Sequence, residues 1–327
     1  MRFLVAAALS LVALCAPARA ADPARTARDF ADDFAVPRFR AVASAAYAQA
    51  DAWTHFCADG ARGDTSALKK SFNDVADAWA KVEFVRIGPA AVALRVERFN
   101  WWLDRTDATG KALTAMLAAP DAPTPEKLAS GSVAGQGLPI LERLLYDKDA
   151  VDAPRCAVGA AVARGQAAIA DAIVTDWAAP DGAAAALAAN TRWNMAFADG
   201  KEAASVMLTD LAAGLEGLKD LKVAMLFHDA TNPSAPRLAE GVRSARTLRD
   251  ISLNLAAIRE GLSRFMAGAP EADRAKLDAA FDDAEHSLKA GDAKPMLAAF
   301  TTLSQTAIAI LPEATGLTLG FNNLDGD

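Results

Sequence analysis

Apolar residues recur along this chain every three or four positions and hardly ever every second one. Phe39, Val42, Ala46, Ala50, Trp53 and Cys57 form one stripe, and Phe72, Val75, Trp79 and Val82 a second. Val92, Val96, Phe99 and Leu103 form a third. Leu208, Leu211, Leu215 and Leu218 come next, then Leu248, Ile251, Leu255, Ile258, Leu262 and Phe265, and last Met296, Phe300, Leu303, Ala307 and Ile310. This is the period of a helix with one buried face, not of a strand. Abundant alanine and sparse β-branched residues agree with it. The pattern predicts an all-α protein.

Proline, glycine and aspartate break the pattern at Arg105–Gly110, Ala119–Pro125, Ala179–Gly182, Asp229–Pro236 and Gly268–Asp273. The Ala179–Gly182 break lies near the middle of the chain beyond residue 20. It predicts two packed helical-bundle domains, 21–179 and 180–327, with any ligand expected where they meet.

Residues 1–20 read differently. Arg2 supplies a positive start, Phe3 to Ala13 an apolar run too short for a stable membrane span, and Ala18-Arg19-Ala20 a small-x-small cleavage site. A signal peptide cleaved after Ala20 and a periplasmic, not membrane-spanning protein are expected. Lipidation at Cys15 is the disfavoured alternative, because Leu14 stands where a small residue belongs. Loss of Arg2 and Arg19 takes the formal charge from −7 to −9. An acidic surface argues against nucleic acid as a partner. Cys57 and Cys156 remain. An even pair in an oxidising compartment reads as one disulfide, with two separate buried thiols as the alternative.

Composition and motifs remove several chemistries. His55, His228 and His286 are the histidines, and no His-Glu-x-x-His helix, Gly-x-Ser-x-Gly elbow, phosphate loop or Cys-x-x-Cys pair occurs. What remains is charge set within apolar helical surroundings. Glu83 lies four residues after Trp79 and shares its face, and Arg86 lies three beyond. That pair reads either as an ordinary intrahelical ion pair or as part of a site. Arg98 and Asp104 flank Trp101 and Trp102, and read either as surface charge with a loop cap or as site residues. Gly137-Leu138-Pro139-Ile140-Leu141-Glu142 puts a carboxylate near the start of an apolar helix whose first position suits Pro139. Glu142 there either compensates the helix dipole, worth about 0.3–1 kcal/mol, or binds a ligand. Ionised carboxylates suit hard cations and iron.

The Gly137–Tyr146 segment resembles the signature of imelysin-like proteins. So do Trp79 with Arg86-x-Gly88-Pro89 and the later Arg98 and Trp101, Ser244-x-Arg246-Thr247-Leu248-Arg249-Asp250-Ile251, and the tail Leu319–Asp327. The resemblance covers nearly the whole chain after residue 20. It implies a periplasmic or surface-exposed all-helical protein of two bundle-like domains, often iron-regulated or accompanying iron uptake, with some members classed as metallopeptidases. Better-known members carry Gly-x-His-x-x-Glu. Here Pro139 stands at the histidine position, so Glu142 alone carries over as a ligand of that motif.

Together these features predict a non-enzymatic iron or iron-chelate binding or accessory protein in iron acquisition. Glu142, Glu83 and Asp104 would serve as ligands, with Arg86 and Arg98 holding an anion or orienting carboxylates. Iron is the expected cofactor, and iron-uptake or envelope proteins are the expected partners. A metallopeptidase, and an envelope interaction protein without metal, are the alternatives.

Overall fold

A computed structural model of the chain describes residues 22–147, 150–179, 182, 197 and 199–320. The expected export segment, the middle of the central break (180–181) and the tail acids Asp325 and Asp327 lie outside these residues. Every regular element described is helical. In order they are α1 (Pro23–Phe30), α2 (Val36–Ala58), α3 (Ser66–Ala80), α4 (Arg95–Phe99), α5 (Ala108–Ala118), α6 (Pro125–Ser130) and α7 (Gly137–Tyr146). Then come α8 (Ala153–Ala178), α9 (Gly200–Gly217), α10 (Ala224–Thr231), α11 (Thr247–Phe265), α12 (Glu271–Ala290) and α13 (Ala293–Thr315). Two π-helical turns, Ala31–Ala35 and Leu218–Val223, make α1–α2 and α9–α10 continuous rods.

The stripes become the core. Phe39, Val42, Ala46 and Trp53 of α2 are buried against α3 and α8, and Phe72, Val75 and Trp79 carry α3. Gly159 lets α8 approach so closely that a Cβ there would lie 2.2 Å from the Trp53 ring. Three residues before it, Cys156 bonds Cys57 and staples α8 to the end of α2. The later stripes of α9, α11 and α13 are likewise buried, and α1 packs on α9 and α11. α11 also packs on α3, so one contiguous apolar cluster runs from Ala27 to Leu317.

The third stripe departs from expectation. Ala93 and Leu94 adopt left-handed backbone, which confines the helix to Arg95–Phe99 and leaves Val92 and Leu94 exposed. Leu248 also faces out, at the first turn of α11.

Candidate functional site: a cavity under the 232–246 segment

α7 begins where the chain cannot tolerate a side chain. Gly137 has φ of 70°, and a Cβ there would sit 2.1 Å from the Phe99 carbonyl oxygen. The residue before it, Gln136, accepts from Arg98 Nε at 3.0 Å. Pro139 is therefore the third residue of the helix, not its first. Glu142 moves out of the first turn, and dipole compensation does not explain it. Its Oε1 accepts from the Ser244 N–H at 3.0 Å and the Ser244 hydroxyl at 2.6 Å.

Ser244 belongs to the non-helical segment joining α10 to α11. Polar contacts pin this segment along its length. Asp229 accepts from the N–H groups of Leu238 (2.8 Å) and Ala239 (3.0 Å). The Trp102 indole donates to the Leu238 carbonyl at 3.1 Å, and Asn100 donates to Glu240 at 2.6 Å. Arg243 reaches Asp147 at 3.0 Å. At its end Arg246, 3% exposed, donates to Asn73 at 2.6 Å, to Asp250 at 2.7 Å and to Asp77.

Beneath the segment is a cavity of about 760 Å³, walled by Phe72 of α3, the Asn100–Thr109 loop, α7 and residues 236–246. The carboxylates around it are already engaged. Asp104 accepts the N–H groups of Ala108 and Thr109, both at 2.8 Å. Burial opposes its ionisation, yet these donors outweigh burial and hold its pKa below the usual range. Asp107 pairs with Arg143. Burial, reinforced by Glu240, pushes Asp250 up to about 7 despite Arg246. Two arginines are differently placed. Arg105 has no hydrogen-bond or ion-pair partner among the described residues, and Arg237 is 64% exposed and 3.9 Å from Asp229. Both line the cavity, with Trp101 and Trp102.

Of the residues singled out in the sequence, Glu142 and Asp104 share this cavity and the other three do not line it. Asp104 caps α5, as its loop-cap reading expected. Arg98 serves Gln136. Glu83 and Arg86 do not pair, because α3 ends at Ala80 and the helical spacing between them is lost. Arg86 turns instead to Glu97, at 3.4 Å. Glu83 binds the Lys222 ammonium and accepts from Asn254 at 2.8 Å. Lys222 also bonds Glu240 at 2.6 Å. Burial disfavours the charge on all three, but the two carboxylates outweigh it for Lys222, whose pKa is raised. Lys222 likewise keeps Glu83 below its ordinary value, while burial and Glu83 push Glu240 up. Sequence reading missed Lys222 and Glu240. Lys222 had a signal: it continues the Leu211, Leu215, Leu218 stripe as a charge on a buried face. Glu240 lies in a loop without period and had none.

The family resemblance implies a metal, and the donor set tests it. Among the described residues no three His, Cys, Asp or Glu side chains gather as a metal site requires. Glu142 is held by Ser244, Asp104 by its helix cap, and Pro139 offers no donor atom. These residues do not fit a resident metal ion.

Residues 35–315 match a family model described as Peptidase_M75: Imelysin. Two solved structures are similar. One is an imelysin-like protein from Psychrobacter arcticum 273-4, at 20% identity and TM-score 0.77, with 92% of this chain and 99% of that one covered. The other is described as a "putative iron-regulated protein A precursor" from Parabacteroides distasonis ATCC 8503, at 15% identity and TM-score 0.72, with 90% and 95% covered. At these identities the likeness establishes the fold. No curated protein matches the chain.

Proposed function

This chain belongs to the imelysin family, and we propose that it is an exported, non-enzymatic component of iron acquisition that holds an anionic iron chelate in the cavity beneath residues 232–246. The observation that carries this reading is the division of labour among the charges. The lining carboxylates are taken up by protein partners, whereas Arg105 borders the cavity with no ion-pair partner among the described residues and exposed Arg237 has only a long 3.9 Å contact with Asp229. Guanidinium groups and indole side chains lining one cavity suit a flat polycarboxylate or catecholate, because the fork of N–H donors matches paired oxygens and aromatic surface can cover the rest. Iron enters such a site already chelated and needs no protein donor set. The iron-regulated description of one structural relative agrees with this role. The acidic surface opposes an anion at long range, so the two arginines must supply the local attraction.

Calorimetry with ferric citrate, a ferric catecholate, iron-free citrate and ferrous or ferric ions tests the proposal. Ferric chelates should bind. Arg105→Ala/Arg237→Ala should weaken them at least tenfold, and added salt should weaken them as well. Iron ions bound alone and lost in Glu142→Gln would overturn the reading in favour of a direct metal site. Metal-dependent cleavage of a peptide library, lost in the same variant, would overturn it in favour of a peptidase. Absence of chelate binding would leave an envelope interaction protein as the better reading.

A further inference from the structure

Asn100, Trp102 and Glu240 form a wall, and on its far side lies a second cavity of about 390 Å³. The first cavity and this one share those three residues but differ in chemistry. Phe84, Val96, Leu221 and Ile258 give the second an apolar lining, and α9 presents small residues, Ala213, Gly214 and Gly217, along one side. The π-helical turn Leu218–Val223 inserts an extra residue into the rod and carries Lys222, which lines the cavity. Such turns are often found where a helix serves a site.

The charges around this cavity do not balance. Glu83, Asp210 and Glu240 line it, three carboxyls against two cationic side chains, Lys222 and the largely exposed Arg86. Glu83 and Glu240 share the Lys222 ammonium. Asp210 accepts the Arg86 N–H at 2.7 Å, but the Arg86 guanidinium is 59% exposed and turned toward Glu97. Asp210 therefore has no cationic side chain bonded to it, and burial pushes it up to about 7. Asn254 adds a further acceptor. It is 2% exposed, its amide N–H groups go to Glu83 and the Ala80 carbonyl, and its Oδ1 has no hydrogen-bond partner among the described residues. A buried acceptor without a donor is costly until a donor reaches it, and carboxyls that outnumber the cations beside them favour a donor that carries positive charge.

We propose that this second cavity binds a small amphipathic amine, with its ammonium among Asn254, Glu83 and Asp210 and its apolar body against Phe84, Leu221 and Ile258. A primary ammonium supplies three donors and one positive charge, which answer the unpaired acceptor and the surplus carboxylate together. The apolar lining rewards a hydrocarbon or aryl tail and gives a bare metal cation nothing. The site is independent of the chelate reading, since Arg105 and Arg237 take no part in it.

The test is calorimetry on the full chain at pH 8, with hexylamine and phenethylamine as probes and hexanol and hexanoate as isosteric controls. The amines should bind at least tenfold more tightly than hexanol, and hexanoate should not bind. Ala213→Leu, which puts a larger side chain into the cavity, should abolish amine binding, and Asp210→Asn should weaken it severalfold. Arg105→Ala/Arg237→Ala should leave it unchanged. Circular dichroism on each variant confirms the fold. Equal binding of hexanol and hexylamine, full binding in folded Ala213→Leu, or no amine binding would each overturn the proposal.

Discussion

Lys222→Met isolates the electrostatic centre between the two cavities. The side chains of Lys222, Glu83 and Glu240 are 12%, 14% and 13% exposed, so little water screens them. At an effective dielectric of about 20, opposite charges some 4 Å apart attract by about 4 kcal/mol, and closer pairs by more. Methionine keeps the apolar stem and most of the packing. What it removes is the charge that two carboxylates share. Breaking a buried pair from one side typically costs about 3–5 kcal/mol, because the remaining charge stays buried. That corresponds to a fall in melting temperature on the order of 10 °C. The pH dependence distinguishes this cause from a packing defect. Without the ammonium, both carboxyls have folded pKa values above their unfolded ones. The penalty is then full above the folded values and disappears as pH falls through them. Thermal and urea unfolding of Lys222→Met should show a large deficit at pH 8 and a much smaller one at pH 5. Adding Glu240→Gln should restore a large part of the loss at pH 8. A deficit under about 1 kcal/mol, or one equal at both pH values, refutes the reasoning.

The geometry sets four further outcomes. Glu142→Ala leaves the Ser244 N–H and hydroxyl without their acceptor and should cost about 1–3 kcal/mol, with hydrogen exchange at Ser244 accelerating more than elsewhere. Gly137→Ala combines a positive φ with a Cβ 2.1 Å from the Phe99 carbonyl oxygen, so chemical denaturation should show a loss well above the about 1–2 kcal/mol of left-handed backbone alone. Asp210 sits at about 7 when folded against an ordinary 3.8, so the native state holds a proton that the unfolded chain releases between those values. Stability should therefore fall as pH rises through that window, and Asp210→Asn, retaining the acceptor for Arg86, should flatten the slope and gain on the order of 1–3 kcal/mol at pH 8. Reduction, or Cys57→Ala/Cys156→Ala, opens a cross-link spanning 99 residues and should cost up to about 4–5 kcal/mol in urea unfolding.

Helices with one continuous apolar stripe could be read from sequence because burial imposes a period on them. Phe39 to Trp53, Phe72 to Val82 and Ile251 to Phe265 are buried as their spacing requires. The Val92–Leu103 stripe misled because periodicity says nothing of backbone sign, and the left-handed Ala93 and Leu94 carry no glycine to announce them. Site chemistry was legible only where one segment contained it. Asp104 could be read as a loop cap because the N–H groups it binds lie within five residues. Glu142 finds its partner 102 residues away, and Lys222 bonds Glu83 across 139. No spacing rule reaches so far, and the loop residues Glu240 and Ser244 have no period at all. The Glu83–Arg86 pairing failed for a local reason, since the helix that would have aligned them stops at Ala80.

The Gly137–Glu142 segment resembles a motif written for metal, yet each of its fixed features has work to do without one. Gly137 admits the Phe99 carbonyl, the neighbouring Gln136 ties down Arg98, and Glu142 holds Ser244. Three parts of the chain that wall the larger cavity are joined there. A proline at the motif histidine position leaves those contacts intact, since none of them uses its side chain. This also determines how a Glu142 variant should be interpreted. Both Ser244 donors fall on Oε1, and a glutamine keeps an oxygen that can accept them, whereas an alanine keeps nothing. If Glu142 acts as a joint, Glu142→Gln stays near wild-type stability and still binds ferric chelates, while Glu142→Ala loses stability and lets residues 232–246 loosen. If it acts as a ligand through its charge, Glu142→Gln loses iron while remaining stably folded. The two substitutions measured together separate the joint from the ligand, which neither does alone.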